Sequence, residues 1–496
     1  MSVGGARERP EPRYLFPPLE RRGVVLGLRA GSLVTLVGGA VIALGVLRSV
    51  PGATGVAVAA GLLLVAVAAG CWPVAGQPPV SWLPAVIGWA HRRGYQPRLD
   101  TEAGMGAEPV SRQQLAPGPP GTGRSPTAPA GIRLRVAPAV PGEAALGVIE
   151  DLAARSWAAV VPVRGTTLSL LDPEEQAHRL ASWGNALAGA ARAGSAVHRL
   201  QWVEQCGPAD PGPLRRTAGA ANGPPRAAAS YRSAVEAEAP GTLQHQTWLV
   251  VAVRAPGRLR LRPTAPSELN AALRREVRLL RSQLRAGDLD AGAALDPAAL
   301  GQLLRSACDP TRPASTVGSS SPGQPMVGVW PAAVGEGWAS VRVDGAWQAT
   351  YWIAEWPRLA VGPDMLSPLL LGGLARTMSV TMAPVQAERA VREVQSARTA
   401  ALADDAIRSR AGFIDTIARR KEAEGVRRRE AELAEGHADY RYSGYVTVSG
   451  TTEQALEEAC AEVEQAARQC HLVVRRLYGR QAEARTWTLP LARGLS

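Results

Sequence analysis

The sequence predicts an α+β protein: an N-terminal two-helix transmembrane hairpin, then ferredoxin-like α+β regions with a long helical insertion. Three observations lead there. Two uncharged apolar runs lie close together near the N-terminus. Beyond them, short strand-like runs alternate with amphipathic helical stretches. Finally, an Ala/Arg/Glu-rich stretch from about residue 385 to 436 is too long for one ordinary globular helix.

Residues 1–29 form a basic arm carrying Arg7, Arg9, Arg13, Arg21, Arg22 and Arg29. The hairpin follows at 30–72. Its runs, AGSLVTLVGGAVIALGVL and ATGVAVAAGLLLVAVAAGCW, each approach the roughly 20 residues needed to cross a hydrocarbon core. RSVPG joins them, with Arg48 as its one charge, whereas Arg92, Arg93 and Arg98 follow the second run. The excess of arginine outside the hairpin places both termini on the cytoplasmic side. Gly31, Thr35, Gly39 and Ala43 recur at every fourth position, as do Ala53, Ala57 and Gly61. Such stripes let helices approach closely, within the hairpin or against another membrane subunit. Residues 73–99 read as a juxtamembrane segment in which Trp82 and Trp89 flank an apolar stretch at the headgroups; a short helix packing its tryptophans inward is the alternative.

GPPGTGRS (118–125) resembles a phosphate-binding loop. It lies in a Pro/Gly-rich linker, 100–130, with no strand before it and no helix after it, and Arg124 stands where that loop needs lysine. It is a product of composition.

A first α+β region spans 131–308. IRLRVAPA, SWAAVVPV, TTLSLL, VHRLQWVE and HQTWLVVAVR read as strands. A helix over 172–194 is capped by Asp172, with Pro173 at its first position. A second, over 267–287, has Ser267 as cap and an apolar stripe of Leu269, Leu273, Val277, Leu280 and Leu284. Its other face carries Arg274, Arg275, Arg278, Arg281 and Arg285. A solvated face is the simple reading; a surface for acidic protein, lipid or nucleic acid is the sharper one. A linker at 309–327 precedes a second region, 328–496, with long helices. A hairpin turns at Asp344-Gly345, and Trp352 and Trp356 share a strand face if the strand is regular, as core or as a partner groove. The long helical stretch breaks at Gly412 or Gly425. YRYSGYVTVSG, a helix over 451–469, HLVVRRLYG and a closing strand ARTWTLPL complete the chain.

The net charge of +12 comes with a single lysine, Lys421, and follows compositional bias more than nucleic-acid binding. Five cysteines without CxxC spacing exclude a disulfide framework or zinc cage. The six histidines are scattered, and no HExxH or GxSxG pattern occurs. The expectation is a non-enzymatic protein with no cofactor, no metal and no catalytic residue.

GAWQATYWIAEWPRLAVGPDMLSPLLL, ERAVREVQSART, RRREAELAEGHADYRYSGYVTVSG, RRLYGRQAEARTWTLPLARG and the N-terminal YLFPPLERRGVVLGLRAGS resemble a family of actinobacterial integral membrane proteins. That architecture is similar to conjugative type IV secretion components: the small two-span inner-membrane subunit fused to the non-motor region of the secretion ATPase. The resemblance implies an inner-membrane adaptor that recruits a separate motor ATPase and other membrane subunits in the lipid bilayer. A membrane-tethered protein whose arginine faces hold nucleic acid is an alternative, and a homo-oligomer is a further expected partner. The hairpin and the TYW…WP element also resemble the E-type membrane subunit of type VII secretion, which predicts different neighbours and the same absence of chemistry.

Overall fold

The computed structural model describes residues 30–50, 52–71, 83–95, 128–165, 171–219, 224–238, 242–254, 265–308, 329–410 and 417–495. The basic arm, Trp82, GPPGTGRS, most of TTLSLL and the 309–327 linker lie outside them. Two compact units result: a smaller one built on the N-terminal helices, and a larger one from about residue 124 onward.

The larger unit is mixed helix and antiparallel sheet. Its first half runs β1 (Ile132–Ala137), β2 (Leu146–Asp151), β3 (Ser156–Arg164), α4 (Pro173–Ala191), β4 (Val197–Pro208), α5 (Pro211–Gly219), α6 (Pro225–Glu238), β5 (Leu243–Arg254), α7 (Pro266–Ala286), β6 (Asp290–Ala291) and α8 (Pro297–Cys308). The second half runs β7 (Val334–Glu336), β8 (Val341–Val343), β9 (Ala346–Glu355), α9 (Ser367–Leu370), β10 (Arg376–Pro384), α10 (Ala387–Arg410), α11 (Ile417–Ala434), β11 (Tyr440–Gly450), α12 (Glu453–Gln469), β12 (Val473–Arg476) and α13 (Gln481–Arg485). The two lists name the same elements in the same order.

All the strands join one sheet, ordered β1-β2-β3-β5-β4-β10-β11-β9-β8-β7, with β6 beside β3 and β12 beside β9. The order is a palindrome about the antiparallel β4·β10 pair, in which Val203 faces Ser379. Details repeat as well. The second residue of β3 and of β9 is a tryptophan under a guanidinium, Trp157 under Arg135 of β1 at 5.7 Å and Trp347 under Arg342 of β8 at 5.8 Å; the tryptophan position repeats, and the arginine comes from a different strand in each half. In α7 the buried stripe is Leu273, Val277, Leu280 and Leu284; in α12 it is Leu456, Cys460, Val463 and Ala467, at the same steps of four, three and four. The larger unit is an internal repeat.

One face of the sheet is covered by α4 and α7 in the first half and α12 in the second; Trp202 and Val380, on the two central strands, touch both clusters. The opposite face is apolar beneath α8 and polar beneath the C-terminal segment. That segment crosses the seam as a strap. The fully buried Gln201 donates to Trp487 O (2.9 Å) and Leu489 O (3.0 Å) and accepts from Ala492 N (2.8 Å). Ser379 Oγ donates to Trp487 O at 2.8 Å and Thr381 Oγ1 to Arg493 O at 2.7 Å. Strap carbonyls that would otherwise be buried unpaired are thus satisfied by side chains from β4 and β10.

Several expectations change here. ARTWTLPL is no closing strand: it holds the end of α13 and the start of the strap, lying across the sheet face rather than along an edge. Ser267 lies inside the first turn of α7, because Pro266 takes the first helical position and Ala265 the cap. Gly412 lies outside the described residues, while Gly425 lies inside α11 and does not break it. Arg398 reaches across to Glu430 at 2.9 Å. Asp172 does cap α4, accepting from Glu175 N at 2.9 Å, and Asp344 turns the β8–β9 hairpin at φ 51°.

At the start of β4, His198 lies near Arg199, Arg254 and Asp151. Burial, reinforced by the Arg254 and Arg199 charges, pushes its pKa from 6.5 down to about 4. Between those values the unfolded chain binds the proton and the folded chain does not. Stability from this residue is therefore present above pH 6.5 and lost as pH falls toward 4. Denaturation of the full chain from pH 7 to 4 should show that decline, and His198→Gln should flatten it; an unchanged slope would assign the decline elsewhere.

Candidate membrane and partner interfaces

The smaller unit contains α1 (Ala30–Ser49), α2 (Ala53–Cys71) and α3 (Leu83–Tyr95). Among the described residues, one helix is long and apolar enough to cross a bilayer, over Ala53–Gly70; in α1 the apolar stretch Val34–Ser49 is shorter. The helices pack closely. A Cβ at Gly39 would sit 2.4 Å from Ala66 Cβ, so any larger residue would force the helices apart. Ala43, Ala59 and Ala66 are buried, while Val34, Val41, Leu44, Leu64 and Val65 are exposed. The small-residue stripe of α1 thus contributes Gly39 and Ala43 to this contact, with Thr35 half-buried. In α2 the contact runs through Gly55, Ala59 and Ala66; Ala57 and Gly61 are exposed. A strict four-residue step drifts around a helix of 3.6 residues per turn, and the buried line follows alternating steps instead. Gly31 has no described side-chain environment. Trp89 is half-buried on α3.

In the larger unit the arginines of α7 divide. Arg274 is inside the fold. It donates to Glu143 Oε2 (2.7 Å), Pro138 O (2.8 Å) and Ala144 O (3.1 Å), tying α7 to the loop between β1 and β2. Arg278 joins the same carboxylate at 2.8 Å from an exposed position. The Arg274 hydrogen bond, against a smaller opposing effect of burial, holds the Glu143 pKa below its usual value. Arg275 pairs with Glu276 at 3.2 Å, and Arg285 donates to Ala291 O at 3.1 Å. Arg281 has its Nε buried. Arg274 is thus a buried brace, while Arg275, Arg278 and Arg285 remain exposed.

Trp352 and Trp356 do not share a face. Trp352 donates to Ser443 Oγ at 3.1 Å on the strap side. The strand ends at Glu355, and Trp356 packs edge-on against Tyr442, 5.6 Å between centroids, on the helix side.

Sequence spacing gave no sign of one cluster. Cys206 on β4 faces His245 on β5 and Arg376 on β10. Cys206 Sγ lies 3.6 Å from His245 Nε2, and His245 Nδ1 lies 2.7 Å from Glu204 Oε1. Arg376 reaches Glu204 Oε2 at 3.4 Å. A thiol, an imidazole and a carboxylate in line are the parts of a nucleophilic site. Burial, however, raises the Cys206 pKa despite the Arg376 charge, keeping the sulfur as an unreactive thiol. Glu204, Cys206 and Arg376 are buried, while the His245 ring is 42% exposed at the edge of the cluster. Among the described residues, no three His, Cys, Asp or Glu side chains are grouped to hold a metal.

Replacing Arg274 with alanine should cost about 2–3 kcal/mol, since it strands buried carbonyls and weakens the hold on Glu143. Arg278→Ala should cost under about 1 kcal/mol, as for exposed pairs. Chemical denaturation of both variants checks this; equal losses would show that burial does not separate the two.

Residues 242–353 match the profile of a family described as EccE, a putative type VII ESX secretion system translocon. The matched stretch runs from β5 through α7 and α8 to β9, across the junction of the two halves. No curated protein matches the chain. The match supports a secretion-system membrane family. It favours the type VII resemblance and lends nothing to the type IV conjugative one.

Proposed function

We propose that this chain is a non-enzymatic membrane subunit of a type VII secretion translocon, similar to EccE. The observation that carries the reading is the match over residues 242–353. The close packing of α1 on α2, with apolar side chains outward, is its physical complement. In this reading both helices cross the bilayer, and both termini are cytoplasmic. The larger unit then works in the cytoplasm as a scaffold for other membrane subunits and a motor ATPase. Each of its halves is ferredoxin-like: β6-β3-β5-β4 and β12-β9-β11-β10 have the strand order of a split β-α-β fold. The helical hairpins α5/α6 and α10/α11 are insertions at equivalent places in that fold.

Two measurements test this. The tagged full chain, extracted in mild detergent, should bring down other membrane subunits and a phosphate-loop ATPase of a type VII system. Recovery of conjugation proteins, or of a homo-oligomer alone, would overturn it. In intact cells, Ser49→Cys should react with a membrane-impermeant maleimide and Glu435→Cys should not; labelling at Glu435→Cys alone would reverse the orientation.

A further inference from the structure

The central strands of the first half end in two unlike ways. β4 and β5 each run for 12 residues, about 40 Å. At one end the chain leaves Pro208, forms α5 and α6 and returns at Leu243. At the other end arginines gather. The turn between β2 and β3 presents Leu152, 38% exposed, and Arg155, exposed at φ 51°. Arg254, exposed at the end of β5, donates from Nε to Ala154 O of that turn at 2.9 Å. The β4·β5 register slips between Val197 and Arg199. This bulge gives the successive residues His198 and Arg199 the same charged neighbours, Arg254 and Asp151. Arg493 of the strap joins them, 2.7 Å from Asp151 Oδ2.

Charge is unbalanced here. Asp151 is used within the fold: Oδ1 accepts from Ala153 N (2.9 Å) and Ala154 N (3.0 Å), and Oδ2 accepts from Arg493. Among the described residues, Arg155 and Arg254 have no carboxylate partner. Burial first, and then the Arg155 charge, hold the Arg254 pKa below its usual value. Neighbouring arginines around an exposed leucine suit an anionic surface with an apolar layer behind it. The chain's own course points to such a surface. Arg493 Nη2 holds Ala130 O at 2.7 Å, and Leu152 N donates to Gly131 O at 2.9 Å. The described part of the larger unit begins just before, at residue 128. The apolar helices α1 and α2 precede that point in the sequence, so the chain enters the larger unit at this corner.

We propose that this corner docks on an anionic bilayer surface, with Arg155 and Arg254 at the lipid phosphates and Leu152 in the interfacial layer. The inference rests on the reading of the chain as membrane-anchored and adds where the larger unit touches the membrane. Arg199 and Arg493 lie behind the contact and deepen its positive potential. The anchor makes docking intramolecular, so a few arginines, each worth about fivefold at an anionic surface, suffice. An acidic protein face would also satisfy the arginines; the entry of the anchored chain at this corner favours lipid.

The test uses the full chain reconstituted in nanodiscs that contain a nitroxide-headgroup lipid as quencher. A genetically encoded fluorescent amino acid replaces the exposed Ala153 or, as control, Tyr231 on α6 at the opposite end of the strands. In discs containing phosphatidylglycerol, quenching at Ala153 should be several-fold stronger than at Tyr231. It should fall in discs of phosphatidylcholine alone and in high salt. Arg155→Glu should lower the docked fraction at least about fivefold, and Arg155→Lys should retain it. Leu152→Ser should weaken docking without moving the melting temperature. Equal quenching at the two positions, quenching indifferent to lipid charge, or an Arg155→Glu variant that docks as before would overturn the proposal. Absence of quenching at Ala153 in anionic discs would overturn it in favour of an acidic protein face. A chain that does not enter the discs would overturn both this proposal and the membrane-anchored reading beneath it.

Discussion

The antiparallel pairing of β4 with β10 is the constraint on which the larger unit depends. Each half alone would end in an open strand edge, with unpaired amides and carbonyls along its length. Pairing the two edges removes both and sets the palindromic order of the sheet. Because the strands run antiparallel, the hairpins that follow them, α5/α6 and α10/α11, leave from opposite ends of the seam. The strap completes the join. Its carbonyls are captured by Gln201 from the first half and by Ser379 and Thr381 from the second, so one segment holds both.

The halves share a plan and differ in chemistry. On the strap side, the first half buries Leu300, Leu303 and Leu304 of α8 against Val160 and Val250. The second uses a hydroxyl ladder instead: Thr350 to Thr447 at 2.9 Å, Thr447 to Thr488 at 2.8 Å. Gln481 Oε1 accepts from Thr350 N at 2.8 Å. Such a network specifies one arrangement, since every member must be satisfied. The short α9 in place of a helix as long as α4 breaks the symmetry at the surface.

Much of this was legible in the residues. The uncharged N-terminal runs, the α7 stripe, the Asp172 cap and the β11-α12-β12 order follow from local pattern. What was hidden is non-local. Periodicity marks β4 and β10 as strands but does not say that they pair, and two regions separated by a linker look like separate sheets. Arg274 sits in sequence among solvent-facing arginines; only the loop carrying Glu143 turns it into a brace. The cluster of Glu204, Cys206, His245 and Arg376 draws on three strands far apart in the chain. In α2, the four-residue step named Ala57 and Gly61, one phase away from the line the helix buries. The strap resembled a strand because its apolar alternation is real, but its partners are side chains rather than a strand edge.

Native-state hydrogen exchange of the full chain tests the joined repeat most directly. If β4 and β10 form the centre of one sheet beneath the strap, amides of Gln201–Gln205 and Thr377–Thr381 should exchange slowly and open together. Rapid exchange along either strand while the other stays protected would mean that the halves fold as separate domains, and would contradict the account.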